Sequence, residues 1–225
     1  MRLLPSVLAA MLCVGCTGGG GDQPPPEEPL LPGGYRTHLD PGRSDPGQFT
    51  VGETPEMVRF TTGPAGLAWR PQDVVEPGDV LVEGTLHVYG APVDYREGYG
   101  VFVGGRDLES SDASYAYLMV RPSGDFTIRE RRGDVTETVV DWTPHDAVQG
   151  VGVDGDEPVN TLGIQARGAE VAFTVNGAVV FRMGVSDVEL QGLAGIRVNH
   201  RLDVGLTTWS LGPPPPPVAD STSGT

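Results

Sequence analysis

Between residues 48 and 212 apolar and polar positions alternate with a period of two over many short runs, the signature of strands lying half-buried on a core. In Val80–Tyr89, Val80, Val82, Gly84, Leu86 and Val88 share one face, and Leu81, Glu83, Thr85, His87 and Tyr89 share the other. One apolar and one mixed face fit a strand with a sandwich core on one side. The stretch Tyr99–Arg132 contains a strand ending at a Gly104-Gly105 kink, a polar loop over Asp107–Ser114, and two strands joined by Pro122-Ser123-Gly124-Asp125. Within it Tyr115, Tyr117 and Met119 oppose Ala116, Leu118 and Val120, and Phe126 and Ile128 alternate with Thr127 and Arg129.

Further strands are predicted at Gln48–Val51, Met57–Thr61, Leu67–Arg70, Val135–Trp142, Thr161–Ala166, Glu170–Val175, Val179–Met183, Leu193–Asn199 and Val204–Leu211. Asn176-Gly177 is a strong hairpin signal, because a type I′ turn needs positive φ at both central residues. Thr143–Val148 predicts a single helical turn, with Thr143 as N-cap and Pro144 at the first helical position. Arg36–Gly47 is polar and turn-rich, a connector or a loose first strand. About twelve short strands and no long helix predict an all-β sandwich of two antiparallel sheets.

The flanks are of a different kind. Residues 1–16 carry one early Arg, an apolar run Leu3–Leu12 and then small residues, too short to span a bilayer and laid out like a secretory signal. Leu12-Cys13-Val14-Gly15-Cys16 resembles the bacterial lipobox, with Cys13 standing where that motif prefers Leu. The resemblance implies lipidation of Cys16 and a protein held in the cell envelope, at the outer membrane or cell surface, by its N-terminal lipid only. An ordinary cleaved signal is the alternative. Residues 17–47 then form a Gly/Pro-rich tether and connector, residues 48–212 the sandwich domain, and residues 213–225 a Pro-rich tail of disordered composition.

Of the 225 residues 33 are Gly and 21 Pro, and the formal charge is −15. That balance argues against nucleic acid and against adsorption on anionic lipid headgroups. All 15 basic residues are Arg, with no Lys. Once a signal is removed at Cys16, one cysteine remains, so no intrachain disulfide holds the fold.

Three segments carry a family resemblance: Gly98–Arg132, Asn160–Phe181 (NTLGIQARGAEVAFTVNGAVVF) and Gly192–Trp209 (GLAGIRVNHRLDVGLTTW). Together they resemble the concanavalin A-like jelly-roll domains of the 3-keto-disaccharide hydrolase, or family-16-like, group, relatives of laminin-G-type domains. The order runs through Asn160, Leu162, Ile164, Phe173, Val175, Asn176, Gly177, Gly192, Gly195, Arg197 and Val198. The resemblance implies a jelly roll over roughly Val58 to Leu211. It leaves open a glycoside hydrolase acting on keto-glycosides, because such folds host lectins, enzymes and structural modules alike.

No catalytic motif accompanies it. Jelly-roll glycosidases set paired carboxylates two apart on one strand, and no E-x-D-x-E stands here. His38, His87, His145 and His200 lack metal-ligand spacing, and there is no G-x-S-x-G. Asp154, Asp156 and Glu157 could supply oxygens to calcium, or form a solvated acidic turn. Saccharide recognition needs an aromatic platform and planar polar groups, and Tyr95, Tyr99, Tyr115, Tyr117, Arg121, Trp142, His145, Asn199, His200 and Asp203 are of those types. If a concave face exists, Tyr117, Arg121, Arg129 and His200 are expected to line it. The sequence thus predicts a non-catalytic module for a glycan or an envelope partner, with a hydrolase or a structural lipoprotein as alternatives.

Overall fold

The computed structural model describes residues 29–40, 47–152 and 157–216. Cys16, Asp154, Asp156, most of the expected tether and the end of the tail lie outside the described residues. The strands are β1 (Arg36–Leu39), β2 (Thr50–Glu53), β3 (Val58–Thr61), β4 (Gly66–Val75), β5 (Val80–Val88), β6 (Tyr99–Arg106), β7 (Ser114–Arg121), β8 (Asp125–Arg132), β9 (Val135–Pro144), β10 (Val159–Arg167), β11 (Glu170–Val175), β12 (Ala178–Gly184), β13 (Gly192–Val198) and β14 (Asp203–Gly212). They form two antiparallel sheets of seven strands each, ordered β1-β4-β13-β6-β7-β8-β9 and β12-β11-β10-β5-β14-β3-β2. Among the described residues there is no α-helix, only 3-10 turns at Pro32–Gly34 and Val185–Asp187.

The alternation places the core between the sheets. In β5 the five residues expected inside are buried and the four between them are half-buried. Phe60, Leu86, Leu118, Ile128, Leu162, Ile164, Phe173 and Ile196 pack there with almost no exposure. The Asn176-Gly177 turn joins β11 to β12 with φ of 51° and 80°, the left-handed values the hairpin requires. Gly104-Gly105 falls where the β6–β7 register shifts, so the kink is a bulge.

One expectation changes, and one stated alternative is decided. Thr143–Val148 holds no helical turn: β9 continues to Pro144, and Phe126↔Thr143 and Asp125↔Pro144 are ladder partners. The proline ends an edge strand, where its missing N–H costs nothing. Arg36–Leu39 is a strand proper, paired with β4 from Arg36↔Trp69 to Leu39↔Gly66. Just before it, Tyr35 is 3% exposed and packs edge-on against Phe60 at 5.2 Å between ring centroids.

Candidate functional site

In the β1–β9 sheet the face turned away from the core is not simply polar. Strand periodicity puts Leu67 and Trp69 of β4, Phe102 of β6 and Tyr115, Tyr117 and Met119 of β7 on this outer face, where they form a second apolar cluster. Leu108 and Ala113 of the 107–113 loop join it. Cross-strand register aligns Arg36, Trp69, Gly195, Phe102, Tyr117 and Arg129 in one row across six strands.

The face is concave. The backbone N–H of Asp40, just past β1, donates to the Ala65 carbonyl and so keeps Asp40 beside β4. Arg131 lies on β8, four strands further along. In a flat sheet β1 and β8 would stand about 24 Å apart, yet Arg131 Nη1 lies 3.5 Å from Asp40 Oδ1. Curling of the sheet toward this side, the reach of the arginine side chain and the place of Asp40 past the end of β1 together bring the two into contact.

Arg197 of β13 occupies the bottom of the cup. Its Nη1 donates to Tyr115 Oη at 2.9 Å, and its two terminal nitrogens reach Asp40 at 3.2 and 2.6 Å. The guanidinium stands over the Tyr117 and Tyr115 rings, 5.0 and 5.8 Å from their centroids. Burial works against the charge of Arg197, but Tyr115 and Asp40 outweigh it and raise its pKa. Burial likewise pushes the Asp40 carboxyl up, but Arg197, Arg131 and His200 more than reverse this and hold it below the usual carboxylate range. Arg197 Nε, also buried, has no hydrogen-bond partner among the described residues.

Along the cup toward the β7–β8 turn, Arg121 Nε donates to Asp125 at 2.8 Å, and the guanidinium lies 4.6 Å from the centre of the Trp142 ring. Ser123 adds a 2.6 Å hydrogen bond to the same Asp125 oxygen. Burial again opposes ionisation of Asp125, and these two donors overcome it, lowering its pKa. Trp142 is half-buried and leans across to Gly98, where a Cβ would stand 2.7 Å from Trp142 Cη2. At the opposite side Arg36, Trp69, Pro71, Leu108, Glu109 and Leu193 line a cavity of about 420 Å³, crossed by the Arg36–Glu109 ion pair at 2.9 Å.

The four residues expected to line a concave face lie on or beside this one. Tyr117 and Arg129 are ladder partners. Tyr117 is only 5% exposed, so it forms floor beneath Arg197 and not an open stacking platform. Arg121 is held against Trp142, and Arg129 meets Asp141 at 3.4 Å. His200 follows β13 in a turn whose carbonyl accepts the Tyr95 hydroxyl at 3.0 Å. Tyr99 is elsewhere: it is a core residue bonded to Asn160. Asp203 is held by Arg59 on the other sheet. Of the acidic trio only Glu157 is described, and among the described residues no group of three potential metal ligands is present.

Asp40 and Arg131 were not singled out from sequence, and Arg197 was named only within the family pattern, not as a site residue. Asp40 sits in a patternless polar stretch, whereas Arg197 carried a signal: one cation within the apolar strand LAGIRV.

No protein-family model matches the sequence, and no curated protein matches it. Solved structures do match by shape. The carbohydrate-binding module CBM66 from Bacillus subtilis superposes with a TM-score of 0.56 at 11% identity, over 79% of this chain and 94% of that one. The VIP36 exoplasmic/lumenal domain, in its Ca2+/Man-bound form, gives 0.57 at 9% identity over 84% and 85%. Bacillus licheniformis β-glucanase gives 0.50 at 11% identity over 81% and 94%. The sandwich is a concanavalin A-like jelly roll. At these identities the likeness establishes the fold, and the chemistry must come from the residues of the cup.

Proposed function

We propose that this protein is a non-catalytic glycan-binding module, tethered in the cell envelope by a lipid on Cys16, and that the saccharide lies in the cup of the β1–β9 sheet. The observation that carries the reading is the build of that face: a curved sheet whose outer side presents guanidiniums, carboxylates and the half-buried Trp142 ring, packed over a buried aromatic floor. Such a mixture suits the apolar face and the hydroxyls of a sugar. The fold neighbours CBM66, named a carbohydrate-binding module, and VIP36, named in a Ca2+/Man-bound form, support it.

The carboxylates of the cup favour binding over hydrolysis. A glycosidase needs one carboxylic acid with a raised pKa, but Asp40 and Asp125 are both held low by arginines. The anchor rests on the lipobox-like Leu12–Cys16 and the Gly/Pro-rich stretch behind it.

A glycan array probed with the full chain in detergent tests the reading. Saturable binding that is lost in Trp142→Ala, with the melting temperature retained, is expected. A blank array alongside capture of an envelope protein would replace the saccharide with a protein partner, and turnover of a 3-keto-glycoside would restore the hydrolase. Loss of acyl labelling in Cys16→Ser tests the anchor separately.

A further inference from the structure

Among the described residues the cup holds more positive charge than its carboxylates balance. Arg121 is matched by Asp125 and Arg129 by Asp141, but Arg131 and Arg197 both face the single carboxylate of Asp40. Setting aside the matched Arg36–Glu109 pair at the opposite side, four guanidiniums thus meet three carboxylates among the described residues, in a chain whose formal charge is −15. An excess of cation at one point of an acidic molecule is a local feature and not the drift of composition.

The four arginines differ in how firmly they are held. Arg197 is buried beneath the others and bidentate to Asp40, and Arg121 is fixed between Asp125 and the Trp142 ring. Arg129 is loosely held: Nη2 reaches Asp141 at 3.4 Å, Nε reaches Thr127 Oγ1 at 3.3 Å, and the Asp141 side chain is 81% exposed. Arg131 donates from Nε to the Gly133 carbonyl at 2.8 Å and stands 3.5 Å from Asp40. A long contact to so exposed a carboxylate contributes little, so an incoming anion meets weak competition. Arg129 and Arg131 are two apart on β8 and point to the same side, about 7 Å from each other.

Guanidinium forks match planar, two-oxygen anions, and the cup already shows that preference in the pairing of Arg197 with Asp40. We propose that the saccharide bound here carries a carboxylate, as a hexuronate does, and that Arg129 and Arg131 receive it. The inference rests on the glycan-binding reading and narrows it to acidic glycans.

The test is calorimetric titration of the full chain with oligo-hexuronates (galacturonate, glucuronate, and mannuronate/guluronate series), their carboxyl-reduced neutral counterparts, and sulfated neutral oligosaccharides. One uronate series is expected to bind roughly tenfold or more tighter than its reduced form. Arg129→Gln should erase that preference while leaving the weak neutral binding and the melting temperature in place. Equal affinity for charged and reduced forms would overturn the carboxylate and leave the glycan reading standing, as would a preference for sulfate. Failure of every saccharide, charged or neutral, would remove both.

Discussion

Asn160 Nδ2 donates to the hydroxyl of Tyr99 at 3.1 Å in the centre of the sandwich, where both residues have no exposure. The rest of the amide is also engaged. Its other donor contact is the Gln149 carbonyl at 2.9 Å, while Oδ1 accepts from Gln149 N and Asn176 Nδ2, both at 2.9 Å. One side chain thereby ties β10, the loop after β9 and the β11–β12 turn to the core strand β6. Burial raises the Tyr99 pKa to about 12, the Asn160 hydrogen bond opposing it only in part.

A fully satisfied polar network in a core is costly to open. Asn160→Leu strands several partners and is expected to lower unfolding free energy by about 3 kcal/mol, against about 1 kcal/mol for Tyr99→Phe, which removes one hydrogen bond. Urea denaturation of the two variants measures the difference, and equal losses would show that the network is not the stabilising feature.

The Asp40–Arg197 pair sets an acid response. Because the folded Asp40 carboxyl titrates below its unfolded value of about 4, its contribution is complete above that value and is lost as pH falls through the depressed folded pKa. Asp40→Asn should therefore flatten the acid limb of the stability curve and, by leaving Arg197 without its ion partner, cost about 3–5 kcal/mol at neutral pH. The double change Asp40→Asn/Arg197→Met should recover part of that loss. Melting temperature against pH for the three proteins decides it.

Two glycines give a ranked prediction for the cup. A Cβ on Gly98 would meet the tips of two side chains, Met119 Cε and Trp142 Cη2, both at 2.7 Å, with the Val120 carbonyl oxygen further off at 3.0 Å, whereas one on Gly100 would meet the Leu118 carbonyl oxygen at 1.9 Å. Side-chain tips can give way and a ladder carbonyl cannot. Gly98→Ala should fold with about 1–3 kcal/mol lost and a shifted tryptophan emission spectrum, while Gly100→Ala should lose much more. The reverse ranking would show that Trp142 is not seated as described.

A chain cut to the alternating region, residues 48–212, lacks β1, Tyr35 and Asp40. It is expected to melt about 10 °C or more below a chain spanning residues 29–216. Scanning calorimetry of both compares them directly.

That last case shows where sequence legibility stops. Strands such as β5 and β11 were readable because one face is apolar and the other wet, and Asn176-Gly177 was readable because few residue pairs accept its backbone angles. The strand at Arg36–Leu39 has no such contrast: its one exposed hydrophobe, Leu39, points nowhere decisive, and its place is set by β4, some thirty residues later. The helical signal at Thr143–Pro144 was overridden by the β8 ladder. The aromatic set Tyr115, Tyr117 and Met119 was correctly put on one face, but its covering was hidden, because the cation above it comes from Arg197 and that cation's partner from Asp40, 157 positions away. Local pattern specifies strands; the floor of the cup is made by residues that meet only after the sheet has curled.

The position of the last two strands has a consequence for the order of synthesis. β13 lies between β4 and β6, and β14 between β5 and β3. Until residues 192–212 have left the ribosome, each sheet exists only as two separate halves, and the cup lacks the arginine at its centre. Contacts of such long sequence separation close slowly. The nascent domain consequently stays open and threadable until β13 and β14 emerge, and both sheets then close together.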